Sequence, residues 1–272
     1  DINIPASVTL IRDIAFSNCA GPFIVDASNP NYSSLNGVLF DKNKITLLQY
    51  PISPVGEYNI PSSVKTIGNS AFENCDNLTT VTIPEGVTTI GSSAFNSCSN
   101  LTSVSIPLTV SMIDNYAFVY TDSMVSITAN CSIPVDLSNV NNVFDGINKN
   151  TCTLYVPYGS KSTYQNAVQW KDFQNIIEIE GLFPSTASLS FNPSAETTKI
   201  FIASSVGWSA ESSANWLSID PASSQGSDSL SISVTQNVGD VRTATITIHP
   251  TGLPDQTITV TQYGVVQVTA GS

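Results

Sequence analysis

From Ile60 the chain reads IPSSVKTIGNSAFENCDNLTTVT, then IPEGVTTIGSSAFNSCSNLTSVS, then IP again. The Ile-Pro pairs fall at Ile60, Ile83 and Ile106, evenly spaced with a 23-residue period. The same residue types recur inside each copy: Val64/Val87, Ile67/Ile90, Gly68/Gly91, Ala71/Ala94, Phe72/Phe95, Cys75/Cys98, Leu78/Leu101 and Val81/Val104. A fixed period in the twenties confines a chain to a solenoid, because one copy alone cannot bury its apolar side and stacking must do it.

The physics of one coil is simple. Val81 and Ile83 share a strand face, and Pro84 ends that strand because it has no N–H to donate. Val87 and Ile90 bring the return side inward, and Ala94-Phe95 makes a short turn or helix that plugs one end of the core. Stacking then puts Phe72 beside Phe95 and Cys75 beside Cys98. Burial of one such Phe contributes about 1.5–3 kcal/mol.

The template can be followed outward from these copies. Ile2–Pro5 opens a first coil that continues through Val8, Ile11, Ala15, Phe16 and Cys19. Phe23-Ile24-Val25 reads as the strand of an irregular coil. Within Asn29–Pro51, two apolar runs flank Asp41–Lys44, which predicts a β-hairpin over Asn36–Tyr50. Downstream the pattern decays: Ala117-Phe118 persists, but Thr121 replaces the Cys, and 135–150 reads as a longer loop around Phe144. Thr153–Pro157 is one more strand. Tyr164, Ala167, Val168, Trp170, Phe173 and Ile176 are spaced by three and four, which predicts a short amphipathic helix and turn that covers the open end, with Trp170 in its core.

At Gly181–Pro184 the repeat stops. Period-two alternation follows at Leu189/Phe191, Ile200/Ile202, Leu230/Ile232/Val234, Ala244/Ile246/Ile248 and Ile258/Val260, with turn signals between the runs. Short alternating strands at regular spacing predict an antiparallel β-sandwich, with Trp208 and Trp216 placed to fill the space between sheets. The expected boundaries are 1–180 for the solenoid with its cap, 182–265 for the sandwich and 266–272 for a tail.

Composition narrows the function. Only 11% of the 272 residues are charged and the net charge is −12. Phosphate recognition needs a basic face, so nucleic acid is an unsuitable partner, as is an anionic lipid surface. No run of about 18 apolar residues is present, which argues against membrane insertion of this segment. The chain opens in mid-repeat with no basic-plus-apolar leader, which suggests a mature or trimmed form.

The five cysteines form no C-x-x-C pair, which argues against zinc. Cys19, Cys75 and Cys98 share one repeat position and read as small buried residues. Cys131 and Cys152 lie outside that register and could pair with each other. His249, the single histidine, reads as a solvent-facing residue at a strand end, not as the centre of a catalytic triad. No catalytic, metal or cofactor site emerges, and an enzyme is not expected. The residues alternating with the buried strand positions are candidates for a polar, uncharged ligand face: Thr80, Thr82, Ser103, Ser105, Ser126 and Thr128. No aromatic platform is expected in that register; Tyr116, Tyr120 and Tyr158 are its nearest aromatic candidates.

The coil signature I-P-x-x-V-x-x-I-G-x-x-A-F-x-x-C-x-x-L-x-x-V resembles the BspA-type, or Treponema-type, leucine-rich repeat family over Ile2 to Glu180. NGVLFDKNKITLLQYP and TLYVPYGSKSTYQNAVQWKDFQNIIEI are similar to that family's variant coils and C-terminal cap. Leu182 to Gly264 resembles the BACON domain through Trp208, Trp216–Pro221, Gly226, Asn237, Arg242–Ile246 and Thr261–Gly264. These resemblances imply a mainly β fold: a leucine-rich-repeat solenoid followed by an immunoglobulin-like antiparallel β-sandwich. They also imply an extracellular, cell-surface or outer-membrane-anchored protein, often a lipoprotein, of Bacteroidetes. The implied role is adhesion to a host or matrix protein or glycan through the repeats, with the sandwich as spacer or accessory module. The alternative is glycan or mucin binding centred on Trp208 and Trp216 of the BACON-like domain.

Overall fold

The computed structural model describes residues 1–265, so the expected tail at 266–272 lies outside the described residues. The chain divides into two compact units. One comprises Asp1–Val156 with Lys161–Ile177, and the other Pro157–Ser160 with the chain from Glu178 onward.

The first unit is the solenoid. Its main sheet has six strands: Gly56–Asn59, Leu78–Thr82, Ser103–Ile106, Ser126–Ala129, Thr153–Pro157 and Asn175–Ile179. The pairs between Gly56 and Pro157 are parallel, as successive coils of one hand require. A second six-stranded sheet contains the return strands Thr66–Ile67, Thr89–Ile90 and Met112–Ile113. It is extended by Thr46–Gln49, Val38–Asp41 and Tyr32–Leu35. The expected hairpin therefore forms between Val38–Asp41 and Thr46–Gln49, with Tyr32–Leu35 as a third antiparallel strand. Ile2–Ile4 and Phe23–Val25 pair as a separate two-stranded parallel sheet.

Between the sheets runs an aromatic column: Tyr50, Phe72, Phe95, Phe118, Phe144 and Trp170. Successive ring centroids lie 5.1, 4.9, 5.1, 6.1 and 4.8 Å apart. The turns that carry these rings also hydrogen-bond from coil to coil. The Phe72 amide donates to the Ala94 carbonyl, Phe95 to Ala117, and Phe118 to Val143, at 2.8, 2.8 and 3.0 Å. Two residues per turn take positive φ to direct these peptides along the stack: Ser70 and Asn74, Ser93 and Ser97, Tyr116 and Tyr120. Ile14 and Asn18 do the same in the first coil. At Ile14 the conformation is strained, because a β-branched side chain in the left-handed region crowds its own backbone.

The longer loop expected around Phe144 contains no strand but packs inward as part of the stack. Leu137, Val143, Phe144 and Ile147 are all buried in the core. It escapes the repeat template because the step from Phe118 to Phe144 is longer than one period. The buried Thr121 that replaces the repeat Cys donates its hydroxyl to the Phe118 carbonyl at 2.8 Å, so no polar atom is stranded there. Cys75 and Cys98 are buried as expected, whereas Cys19 is half-exposed at the open end of the stack. All five cysteines are free thiols, Cys131 and Cys152 included.

The cap has a shorter helix than its periodicity predicts: Lys161–Asn166, then a 3-10 turn at Trp170–Asp172. Tyr164, Trp170, Phe173 and Ile176 are buried, while Val168 is exposed. Trp170 donates from Nε1 to the Val135 carbonyl at 2.9 Å. Gln169 performs the less visible task. Its Oε1 accepts from the Val143 amide at 2.8 Å and its Nε2 donates to the Val140 carbonyl at 2.8 Å, which ties the cap to the last coil; the equivalent amides of Ala71 and Ala94 bond instead to Gly68 and Gly91 within their own turns.

The second unit has one sheet of four strands and one of five. The four-stranded sheet runs Leu182–Pro184, Glu196–Ser204, Asp228–Val234 and Leu217–Asp220. The five-stranded sheet runs Ser188–Phe191, Gln256–Gln262, Arg242–Pro250, Trp208–Ser212 and Ser223–Ser224. Their inward residues, among them Ile202, Leu230, Ile232, Ile246, Ile248, Ile258 and Val260, form an apolar core as the alternation predicts. One pair departs from the antiparallel expectation. Ser188–Phe191 runs parallel to Gln256–Gln262, because the chain crosses between sheets just after Pro184.

Candidate functional site

The six candidate residues lie on the outer face of the main sheet, in two columns. Glu57, Thr80, Ser103, Ser126 and Thr153 are register partners in one. Asn59 and Thr82 are partners in the other, as are Ser105, Thr128 and Tyr155 in sequence, and the Val81–Val104 pairing aligns the two groups. Val81, Val104 and Ile127 between them point into the core, so the pleat fixes which side chains face out. At about 4.8 Å per strand, the columns span roughly 19 Å.

Along this face, only Ser105 among the six candidates has a hydrogen-bonded side chain among the described residues, accepting from Asn130 Nδ2 at 3.2 Å. The other five hydroxyls are uncommitted. Each can donate and accept, so the face can meet amides and hydroxyls of a partner without a charge requirement. Glu57 is its one carboxylate, at the edge strand.

The absence of an aromatic in this register is corrected by Tyr155, which is half-buried and lies directly beyond Thr128. On the adjoining strand, alternation with the buried Ile176 puts Asn175 and the 47%-exposed Ile177 on the same outer side. Tyr155 escapes the repeat register because its step from Thr128 is longer than one period. The alternation of buried Leu154 and Val156 within TLYVP was the signal that could have found it. Tyr116 and Tyr120 are exposed, but they sit in the left-handed turn positions away from the ladder. Tyr158 lies past the end of its strand.

The two indoles of the sandwich have structural tasks. Trp208 is buried and donates from Nε1 to the Gly226 carbonyl at 2.8 Å. Trp216 is half-buried, and the Arg242 guanidinium covers it with Cζ 4.3 Å from the ring centroid. Arg242 also donates from Nε and Nη2 to Gln262 Oε1, at 2.9 and 2.7 Å, and from Nη2 to the Thr235 carbonyl. Gln262, itself buried, donates from Nε2 to the Asn192 and Thr235 carbonyls, both at 3.0 Å. Asn237 donates from Nδ2 to the carbonyls of Asp240 and Tyr263. The residues that carried the sequence resemblance thus tie loops to the sandwich edge.

His249 is partly exposed, with Nδ1 2.9 Å from an Asp255 carboxylate oxygen and Nε2 3.7 Å from Glu211. Its pKa is raised above the ordinary 6.5, chiefly by the hydrogen bond to Asp255. Burial pushes the Cys75 thiol up to about 12 and those of Cys131 and Cys152 to about 11. Among the described residues, no group of three or more His, Cys, Asp or Glu is placed to hold a metal ion. No helix among them is long and apolar enough to cross a membrane.

Parallel coils of near-constant length, stacked on an aromatic column and closed by a cap, define a leucine-rich-repeat solenoid. Residues 1–58 and 52–149 match the BspA type leucine rich repeat region, in six copies, and the chain belongs to that family. Residues 206–263 match the BACON family, described as a putative binding domain, N-terminal. No curated protein matches the chain.

Among solved structures, the chain is similar to a leucine-rich repeat protein from Eubacterium ventriosum. That likeness has 22% identity and a TM-score of 0.48, over 70% of this chain and 50% of the other. The pneumococcal vaccine antigen PcpA is 19% identical with a TM-score of 0.47, over 66% and 56%. A Bacteroides ovatus GH5 xyloglucanase, in complex with a XXXG heptasaccharide, is 26% identical with a TM-score of 0.30, over 31% and 19%. The chain thus spans between 19% and 56% of the length of these three proteins.

Proposed function

We propose that the chain is a non-enzymatic binding protein of the bacterial surface or secreted space, which holds a host or matrix protein or glycan against the outer face of its main sheet. The observation that carries this reading is the ladder itself: uncommitted hydroxyls at Thr80, Thr82, Ser103, Ser126 and Thr128, on a rigid sheet that ends in Tyr155. Both matched families are repeat or binding modules, typical of bacterial surface or secreted proteins. An uncharged face gives contacts that salt does not screen. The sandwich serves as spacer or accessory module, because Trp208 is buried and one face of Trp216 is covered by Arg242. Those placements weigh against an indole-centred glycan site.

The test is a combined array of glycans and extracellular-matrix proteins probed with the full chain at physiological and at raised salt. Binding that survives the higher salt is expected. An array with no hit overturns the proposal.

A further inference from the structure

The turn of the first coil does more than begin the stack. Residues Ile11–Phe16 stand over the outer side of the second sheet and enclose a pocket of about 260 Å3, at the small end of ligand cavities. Its lining joins three parts of the chain that are remote in sequence: the first coil, the hairpin strand Thr46–Gln49, and the coils that contribute Thr66, Gly68, Thr89, Gly91 and Asp114.

The polar atoms of the pocket are unevenly satisfied. Gln49 is 5% exposed; its Nε2 donates to the Tyr50 carbonyl at 3.2 Å, while its Oε1 accepts no hydrogen bond among the described residues. Among the described residues the only fully buried side-chain oxygen or nitrogen without a partner is Ser132 Oγ, so Gln49 Oε1 keeps solvent access and is free to meet a ligand. Asp13 uses Oδ2 to accept from Asn69 at 2.9 Å, and Oδ1 is uncommitted. Asp114 accepts from Asn115 through Oδ1 alone. The hydroxyls of Thr46, Thr66 and Thr89, in register across three strands, make no hydrogen bond among the described residues either. Phe16, Ile11 and Leu48 supply an apolar wall.

We propose that this pocket binds a neutral saccharide ring. Three uncommitted acceptors on Gln49, Asp13 and Asp114 call for a ligand rich in O–H donors, and the threonine row can answer its ring and hydroxyl oxygens. The apolar wall suits the C–H face of such a ring. Two carboxylates against the single cation Arg12 disfavour an anionic ligand, as does the net charge of −12. The site lies on the second sheet, so it stands or falls separately from the ladder on the main sheet.

The test is a 15N-resolved NMR titration of the full chain with methyl glucoside, methyl galactoside, methyl mannoside and N-acetylneuraminate, each at millimolar concentration. At least one neutral glycoside is expected to shift the Gly68, Asn69 and Gly91 amides saturably. Gln49→Leu is expected to weaken that binding about tenfold or more by removing this uncommitted acceptor. Asp13→Ala, an exposed change that leaves the core intact, is expected to weaken it as well, and Ser105→Lys on the ladder to leave it unaltered. The proposal is overturned if no neutral glycoside moves these amides, if N-acetylneuraminate alone does, or if neither Gln49→Leu nor Asp13→Ala changes the affinity.

Discussion

Tyr155 is the register partner of Thr128 across two parallel strands, which places an aromatic ring at the end of a column of hydroxyls. The relationship arises from ordinary strand alternation, because Leu154 and Val156 on either side are buried. It gives an otherwise uniform polar face a distinct end.

The aromatic column predicts where the solenoid is least tolerant. Phe95 is buried between Phe72 and Phe118, with centroids 4.9 and 5.1 Å away. Phe95→Ala is expected to cost about 3–5 kcal/mol in a denaturant melt. A loss under about 1 kcal/mol would contradict the packing of the column.

One amide side chain makes three of the hydrogen bonds between the cap and the last coil. Gln169→Ala removes the acceptor for the Val143 amide and the donor to the Leu137 and Val140 carbonyls. Leaving such groups unpaired should destabilise the chain by about 1–3 kcal/mol. Amide exchange at Val143 should accelerate with it; unchanged protection there would show that Gln169 does not hold the cap to the last coil.

Ile14 offers the opposite sign. It holds φ 60 while 62% exposed, so little packing offsets the strain. Ile14→Asn, a residue that tolerates this conformation, is expected to raise stability by about 1 kcal/mol. Its equivalents Ser70 and Ser93 show that the position does not require a branched side chain.

The repeat made the solenoid readable: its register located the paired Phe residues and the strands, and it put the six ladder positions on the outer side. What escaped depends on coil length and on single side chains. Tyr155 and Phe144 lie beyond coils longer than the template, so a fixed period cannot align them. Gln49 and Asp13 come together only because the hairpin carries its strand beside the return strands, and no periodicity reports that. In the sandwich, alternation located the core. It could not distinguish an indole that fills the interior, as Trp208 does, from one covered by an arginine, as Trp216 is.

The edge network of the sandwich should matter for stability more than for ligand. Gln262→Leu leaves Arg242 without its Oε1 acceptor and removes the side-chain donor to the Asn192 carbonyl, while the Thr235 carbonyl keeps only Arg242. A loss of about 2 kcal/mol or more in a thermal or chemical melt is expected. Unaltered stability would contradict the structural role assigned to this residue.

The protonated form of His249 is favoured by Asp255, then opposed by desolvation, with Glu211 adding to the rise. With the folded pKa above 6.5, its contribution to stability is present below that pH and fades as pH rises through the folded value. An imidazole titration followed by NMR, unambiguous because the chain has one His, should place the midpoint above 6.5. Asp255→Asn should bring it back towards 6.5.

The most direct measurement of the central proposal compares the full chain with a Ser105→Lys/Thr128→Lys double variant on one glycan and matrix-protein array at physiological salt. Both positions are on the outer face, so the melting behaviour of the two proteins should agree. The wild-type hits are expected to disappear in the variant. Hits retained at full strength by a folded variant would contradict it, because the ligand would then be held somewhere other than the ladder that runs to Tyr155.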